Sequence, residues 1–542
     1  MTINNKKSKT CGQALVGLLE AYGVETVFGI PGVHTLDLYQ GLAGSNIRHV
    51  LTRHEQGAGF MADGYARVTG KPGVCFTITG PGVTNIATPI GQAYADSIPM
   101  LVISSVNRTP SLGKGRGELH ETQNQRNIIA PLTAFSATAL CVNDIPALLA
   151  RAFTVFASER PRPVFIELPL DVLATPVDEN WEADAVRLAR RPAPAAQDVA
   201  AAAQLLGTAK NPCIIAGGGA VESAAELQAL AEKLAAPVFT TVAGKGLLAS
   251  EHPLSAGATL CVEPTWEFIS KADVVLAVGT ELAETDMWRE KLPLAGKLIR
   301  VDIDPCKMND LYRADIAIVA DARETLSALQ LALGSHSAPW SKSDALPNLK
   351  TRIRNELADL QQTHQQILSV VANTLPSNAF VAADMTQIAY TGNYLFDVDM
   401  PRSWLHPTGY GTLGYALPAA VGAAIAAPER PALVLAGDGG ILYTIQELAT
   451  ATEELNSPFV ILLWNNDSLG QIRDDMIDRD IEPIGVSPRN PKFAQLAEAF
   501  GCRTYVPDSL QELQAALESS FAFNGPTLIE LNESSVSKPQ TA

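Results

Sequence analysis

The stretch Ala432-Leu433-Val434-Leu435-Ala436-Gly437-Asp438-Gly439-Gly440, followed later by Phe459-Val460-Ile461-Leu462-Leu463-Trp464-Asn465-Asn466, decides the fold. Each apolar run has the length of a buried strand and ends in residues that favour tight turns. Between them Ile441, Ile445, Leu448, Thr452 and Leu455 recur every four or three residues, which predicts a helix from about Ile441 to Leu455. Asn456-Ser457-Pro458 then turns the chain into the second run. A strand–helix–strand unit of this kind makes a right-handed crossover and returns Asn466 to the same sheet edge as Asp438.

The same pattern extends in both directions. Residues 73–78 (GlyValCysPheThrIle) read as a buried strand, and Glu55 to Val68 as a helix with Ala58, Ala62 and Tyr65 on one face. CysIleIleAla (213–216) runs into GlyGlyGlyAla, AspValValLeuAlaVal (273–278) ends at Gly279, and LeuIleArgValAspIle (298–303) ends at Asp304. Strands that finish in Gly, Asp or Asn and alternate with helices predict parallel α/β sheets, with ligands at the carboxyl ends of the strands. Two stretches without apolar periodicity, near Pro176 to Asp198 and Gly334 to Pro347, read as linkers. They divide the chain into three α/β domains with parallel sheets flanked by helices, at roughly 10–175, 198–333 and 350–533.

Composition excludes several classes of function. Of 542 residues, 47% are apolar and 18% charged, which is globular. Forty Lys and Arg against 57 Asp and Glu give −17, so neither nucleic acid nor an anionic membrane is an expected partner. No apolar run is long enough to span a bilayer, since Ala416 to Ala427 is broken by Pro418 and Gly422. The N-terminus has no signal-peptide pattern. Seven dispersed cysteines without a CxxC pair read as buried thiols in a reducing, cytoplasmic setting.

Asp438 and Asn466 place a carboxylate and an amide oxygen above a helix start, where free amides favour an anion. Hard oxygens beside a phosphate suit Mg²⁺. Taken singly, GlyAspGly is a tight turn and AsnAsn a strand end; together they point to a metal–diphosphate site.

GlyAspGlyGly followed by AsnAsn resembles the cofactor motif of thiamine-diphosphate-dependent enzymes. PheGlyIleProGly (28–32), ArgHisGluGln (53–56), GlyTyrAlaArgValThrGly (64–70), GlyProGlyValThrAsn (80–85) and GlyTyrGlyThrLeuGlyTyrAlaLeuProAla (409–419) are similar to the acetolactate-synthase-like branch in order and spacing. The resemblance implies a pyrimidine-binding domain, a Rossmann-like middle domain and a diphosphate-binding domain. It implies thiamine diphosphate and Mg²⁺ as cofactors, with Asp438, Asn466 and the Ser468 carbonyl on the metal. Gln387, Gly437, Gly439 and Gly440 would then line the diphosphate. Leu413 would bend the cofactor and the Gly411 carbonyl would accept from its amino group. Glu55 is implied as the catalytic carboxyl that trades a proton with the aminopyrimidine, whereas alone it would be an ordinary first-turn helix acid. Active sites at the interface of a homodimer or homotetramer follow from the same resemblance.

These motifs leave the reaction open, because the carbanion equivalent left by loss of CO₂ can be protonated, attack a second carbonyl or be oxidised. In the loop Gly113 to Arg126, His120 stands where Gln is usual in acetolactate synthases, and an imidazole there is a candidate proton donor as well as an ordinary loop histidine. His34, after Pro31-Gly32-Val33, is a candidate substrate contact. ValGlyThrGluLeuAlaGluThrAsp (278–286) lacks the basic pattern of flavin-holding relatives, which disfavours flavin without excluding a vestigial nucleotide.

The segment Gln471 to Glu482 carries five acids and, if helical, sets Asp474 and Asp478 on one face. Such a run is a solvated helix or, in a family where this region caps the site, a partner for a guanidinium; Asp474 and Asp475 are the candidates. The stretches 29–36, 119–123, 403–414 and 463–476 resemble decarboxylases of guanidino 2-keto acids. That resemblance implies non-oxidative decarboxylation of 5-guanidino-2-oxopentanoate to 4-guanidinobutanal and CO₂ in arginine breakdown. The alternatives are an acetolactate-synthase-type carboligase and a non-catalytic member of the fold. Which group protonates the product stays open at this stage.

Overall fold

Eighteen strands with intervening helices build three six-stranded sheets in this computed structural model, which describes residues 9–178, 181, 183–334 and 344–536. The expected linker Gly334 to Pro347 therefore falls mostly outside the described residues. The first sheet uses β1 (Thr26–Gly29), β2 (Arg48–Leu51), β3 (Gly73–Thr77), β4 (Met100–Val106), β5 (Phe135–Thr138) and β6 (Val164–Pro169). The second uses β7 (Pro212–Ala216), β8 (Val238–Thr240), β9 (Ser255–Gly257), β10 (Val274–Val278), β11 (Lys297–Asp302) and β12 (Ile316–Val319). The third uses β13 (Phe380–Ala383), β14 (Trp404–Leu405), β15 (Ala432–Gly437), β16 (Pro458–Asn465), β17 (Arg503–Tyr505) and β18 (Gly525–Asn532).

Every strand pair within these sheets is parallel. The first and third sheets share one order, β2-β1-β3-β4-β6-β5 and β14-β13-β15-β16-β18-β17. The middle sheet, β12-β11-β10-β7-β8-β9, is the doubly wound dinucleotide-fold order read from its far edge. In β15 and β16 the register pairs Gly437 with Trp464, so Asp438 and Asn465-Asn466 emerge side by side.

Alternate residues of the middle strands feed two cores. Ile214, Leu276 and Ile299 lie in one, while Cys213, Ile215, Val275 and Leu298 lie in the other. Both faces are covered by helices, as a parallel sheet requires. Leu346, Leu349 and Ile353 of the helix Ala345–Asn355 join the second of these cores.

The chain forms two compact units: residues up to Arg190 with Leu417–Pro428 and Thr444–Asn456, and the remainder. In the first, the helix Glu55–Thr69 is buried on nearly all sides from Glu55 to Ala66. A Cβ at Gly64 would collide with the backbone of Ala419, and one at Gly422 with the backbone of Met61. Two helices thus meet main chain to main chain at reciprocal glycines.

Two expectations need correction. The helix expected over Ile441 to Leu455 is split into Asp438–Ile441 and Glu447–Glu454. Between them Tyr443, Glu447 and Leu448 donate their amides three residues back, to Gly440, Thr444 and Ile445. Glycines open the segment and are poor helix formers. The turns also bury the polar side chains of Thr444 and Glu447, which a regular apolar stripe would not require. Second, Cys141 and Cys306 are exposed rather than buried: Cys141 lies in the loop after β5, and Cys306 in the short 3-10 helix Pro305–Lys307 after β11. No helix among the described residues is long and apolar enough to cross a membrane.

Candidate active site

In the second unit, Asp438 follows the last residue of β15 and is 3% exposed. Its Oδ2 accepts from Asn490 Nδ2 at 2.7 Å and from the Ser468 amide at 3.3 Å. Burial pushes its carboxyl above the usual range, while these donors and the Gly439 amide pull it back. The Ser468 amide also reaches Asn466 Oδ1 at 3.2 Å, because Asp467 takes a left-handed conformation (φ 52°) that folds the chain back. Asn466 Nδ2 donates to Gln387 Oε1 at 3.1 Å. Gln387 opens the helix Gln387–Leu395 after β13. Asp438, Asn466, Ser468 and Gln387 are thus brought together.

Glycine makes room here. A Cβ at Gly439 would stand 2.7 Å from Leu469 Cδ2, and one at Gly470 would stand 2.7 Å from both Asn466 Nδ2 and Gln387 Oε1. The loop carrying Gly411 (φ 65°) and Leu413 is tied to Asp384, which is 1% exposed. Asp384 Oδ1 accepts from the Met385 and Gly414 amides at 2.8 and 3.1 Å, and its Oδ2 from Ala416 at 3.4 Å. Burial lifts this carboxyl to about 6. In the helix Gly470–Asp478, Asp474 is held by Gln387 and Arg473, and Asp475 by Gln471.

In the first unit, Glu55 is 9% exposed, and its Oε2 accepts from Asn85 Nδ2 at 2.9 Å. A Cβ at Gly82 would approach Glu55 Oε1 to 3.3 Å. At Gly80 a Cβ would meet the His120 carbonyl at 2.5 Å, so the segment 80–82 has Glu55 and His120 as neighbours. His120 is itself left-handed, with φ 61°. Its ring meets that of His34 edge to face at 5.2 Å. His34 Nδ1 is buried without a hydrogen-bond partner among the described residues. Burial, then His120, lower the His34 pKa, and Glu118 opposes them.

The strand-end reading missed three groups. Asp384 is itself a strand-end acid, so the rule that singled out Asp438 reaches it. The same rule reaches Glu533, directly after β18, which hydrogen-bonds the Asn466 side chain and whose pKa burial raises; Asn490 carries no local signal. The oxygens of Asp438, Asn466 and the Ser468 main chain suit a small hard cation. The helix start at Gly437-Asp438, whose N-cap receives no side-chain hydrogen bond, suits a diphosphate beside it. The residues present therefore fit both groups.

Three family models match the chain. The thiamine pyrophosphate enzyme N-terminal TPP binding domain covers residues 9–128, the central domain 199–329 and the C-terminal TPP binding domain 384–531. The chain is 63% identical over 527 residues to a probable 2-ketoarginine decarboxylase of Pseudomonas aeruginosa, covering 97% of this chain and 94% of that one. It is 32% identical over 539 residues to the acetolactate synthase isozyme 1 large subunit of Escherichia coli, covering 98% and 95%. To the acetolactate synthase large subunit of Corynebacterium glutamicum it is 33% identical over 551 residues, covering 96% and 86%.

Proposed function

This chain belongs to the thiamine pyrophosphate enzyme family, and from that premise we propose that it decarboxylates 5-guanidino-2-oxopentanoate (2-ketoarginine) without oxidation, giving 4-guanidinobutanal and CO₂ in arginine breakdown. The observation that carries this reading is the near full-length identity to the Pseudomonas protein, about twice that to the acetolactate synthases.

Bound thiamine diphosphate supplies a nucleophilic carbon and the electron sink that loss of CO₂ from a 2-keto acid requires. Asp438, Asn466 and the Ser468 carbonyl would hold Mg²⁺, and Gln387, Gly437, Gly439 and Gly440 would line the diphosphate. Gly411 and Leu413 would face the aminopyrimidine, supported by the fixed loop on Asp384. Glu55, in a largely buried setting, would hold and return a proton at the ring nitrogen. His120 would deliver the proton to the product carbon, with His34 against it. Asp474 and Asp475 would receive the guanidinium. The division at 10–175, 198–333 and 350–533 belongs to this reading. So does a homodimer or homotetramer in the cytoplasm with sites at subunit interfaces, supported by the exposed Val33, Leu36 and Leu119 around the two histidines.

The test is a 2-keto-acid panel with thiamine diphosphate, Mg²⁺ and product identification. 2-Ketoarginine should be the fastest substrate and yield guanidinobutanal and CO₂. Faster conversion of pyruvate to acetolactate would overturn the assignment in favour of a carboligase.

A further inference from the structure

Glu447 has no exposed surface and opens the helix Glu447–Glu454. Its Oε1 and Oε2 accept the Arg53 amide at 3.1 and 3.2 Å, and the His54 amide also donates to it. Thr450 Oγ1 donates at 2.7 Å. Beyond Glu55, a Cβ at Gly57 would collide with Glu447 Oε1, so glycine is what lets the carboxylate lie there. One buried carboxylate therefore bonds the main chain just before Glu55 and packs against Gly57 just after it. The Arg53 guanidinium points elsewhere, to Glu453 and the Leu51 carbonyl. Burial pushes the Glu447 carboxyl up, so keeping it there costs stability that a half-exposed Ser or Asp cap would not. The His54 ring already caps this helix by accepting the Gln56 amide at 3.1 Å, so helix capping alone leaves the buried charge unexplained.

We propose that Glu447 is a positioning residue for Glu55: its grip on Arg53, His54 and the space at Gly57 sets the first turn of the helix Glu55–Thr69 and so the angle of the Glu55 carboxyl. The inference rests on the reading of Glu55 as the group that exchanges a proton with the aminopyrimidine.

The test compares E447A, E447Q, E55Q and D63N in enzyme loaded with thiamine diphosphate and Mg²⁺. Asp63 is a second fully buried carboxylate, two turns along the same helix and paired with Arg67, and it controls for loss of packing. E447A should lower kcat on the order of 10- to 100-fold, as a small misplacement does, with KM for 2-ketoarginine within about twofold and a displaced pH profile of kcat. E447Q keeps one acceptor oxygen and should fall between E447A and the native enzyme, with its pH profile also displaced. D63N should lower Tm while leaving kcat and its pH profile in place. A folded E447A with native kcat overturns the proposal, as does a kcat loss that D63N reproduces. Should E447A not fold, E447Q decides, and native kcat and pH profile in that variant also overturn it. E55Q separates the two readings: retained turnover overturns the role of Glu55 itself, whereas an inactive E55Q beside a fully active E447A overturns only the positioning.

Discussion

Gln387 donates from Nε2 to Asp474 Oδ2 at 3.1 Å, while its Oε1 accepts from Asn466. The acidic helix is therefore joined to the residues that gather around Asp438. Asp474 Oδ1 also accepts from Arg473 Nε and Nη2 at 3.1 and 3.0 Å, so a guanidinium of the chain itself already rests on this carboxylate. A substrate guanidinium would have to displace Arg473. Asp475 accepts from Gln471 Nε2 at 3.1 Å within its own helix.

D474N and D475N should each raise KM for 2-ketoarginine more than KM for an uncharged 2-keto acid, on the order of tenfold for a lost charge-assisted bond. D474N should also weaken cofactor binding, through Gln387, and D475N should not. Steady-state kinetics on both substrates check this. Equal effects on the two substrates would assign the acids a structural role.

Thiamine diphosphate with Mg²⁺ should raise the melting temperature in a concentration-dependent way. At a hundredfold excess over Kd the gain is about 2.7 kcal/mol. Chelation should remove most of it. In D438N the metal-dependent part of the shift should vanish while the melting temperature without cofactor stays near native. A full native shift in D438N would refute its role.

Lys245 is 6% exposed, and its Nζ donates to the carbonyls of Gly392, Asn393 and Phe396 at 2.8, 3.0 and 2.6 Å, with the Trp404 ring centroid at 4.0 Å. It closes the carboxyl end of the helix that Gln387 opens. Burial lowers its pKa from 10.5 to about 7, against Asp397. Between those values the unfolded chain binds the extra proton, so this group makes stability rise with pH through that window; below about 7 both states are charged and its contribution is constant. Chemical unfolding of the native protein and of K245M from pH 6.5 to 9.5 should therefore diverge as pH rises, by up to about 1.4 kcal/mol per unit. A constant difference would show that the ammonium stays charged.

G64V or G422V should cost several kcal/mol, because the added side chain meets backbone that cannot swing aside. Expression with thermal melting checks this. A Tm within about 2 °C of native would contradict the close helix contact.

The fold class was legible in the sequence because parallel strands announce themselves locally. The apolar runs 73–78, 213–216, 273–278, 298–303, 432–436 and 459–464 all lie on strands, to within a residue or two at their ends. Asp438 and Asn466 were readable as a pair for the same reason, each lying just past a strand end, whereas Gln387 and Ser468 came only from the resemblance to the cofactor motif. The helix over 441–455 was misread because periodic apolar residues do not reveal that Thr444 and Glu447 are buried polar groups with their own partners.

By itself, then, the sequence determined what local physics encodes: buried strands, the glycine and acid punctuation at their ends, the acidic balance and the cofactor motif. The tertiary structure alone decided the strand orders, including the order shared by the first and third sheets. It alone set Glu447 under Arg53, Glu533 and Asn490 beside Asn466 and Asp438, and Lys245 beneath the Gln387 helix. Those pairs lie tens to hundreds of residues apart in the chain. Their partners are chosen by which surfaces burial brings together, and no spacing rule within a single segment carries that information.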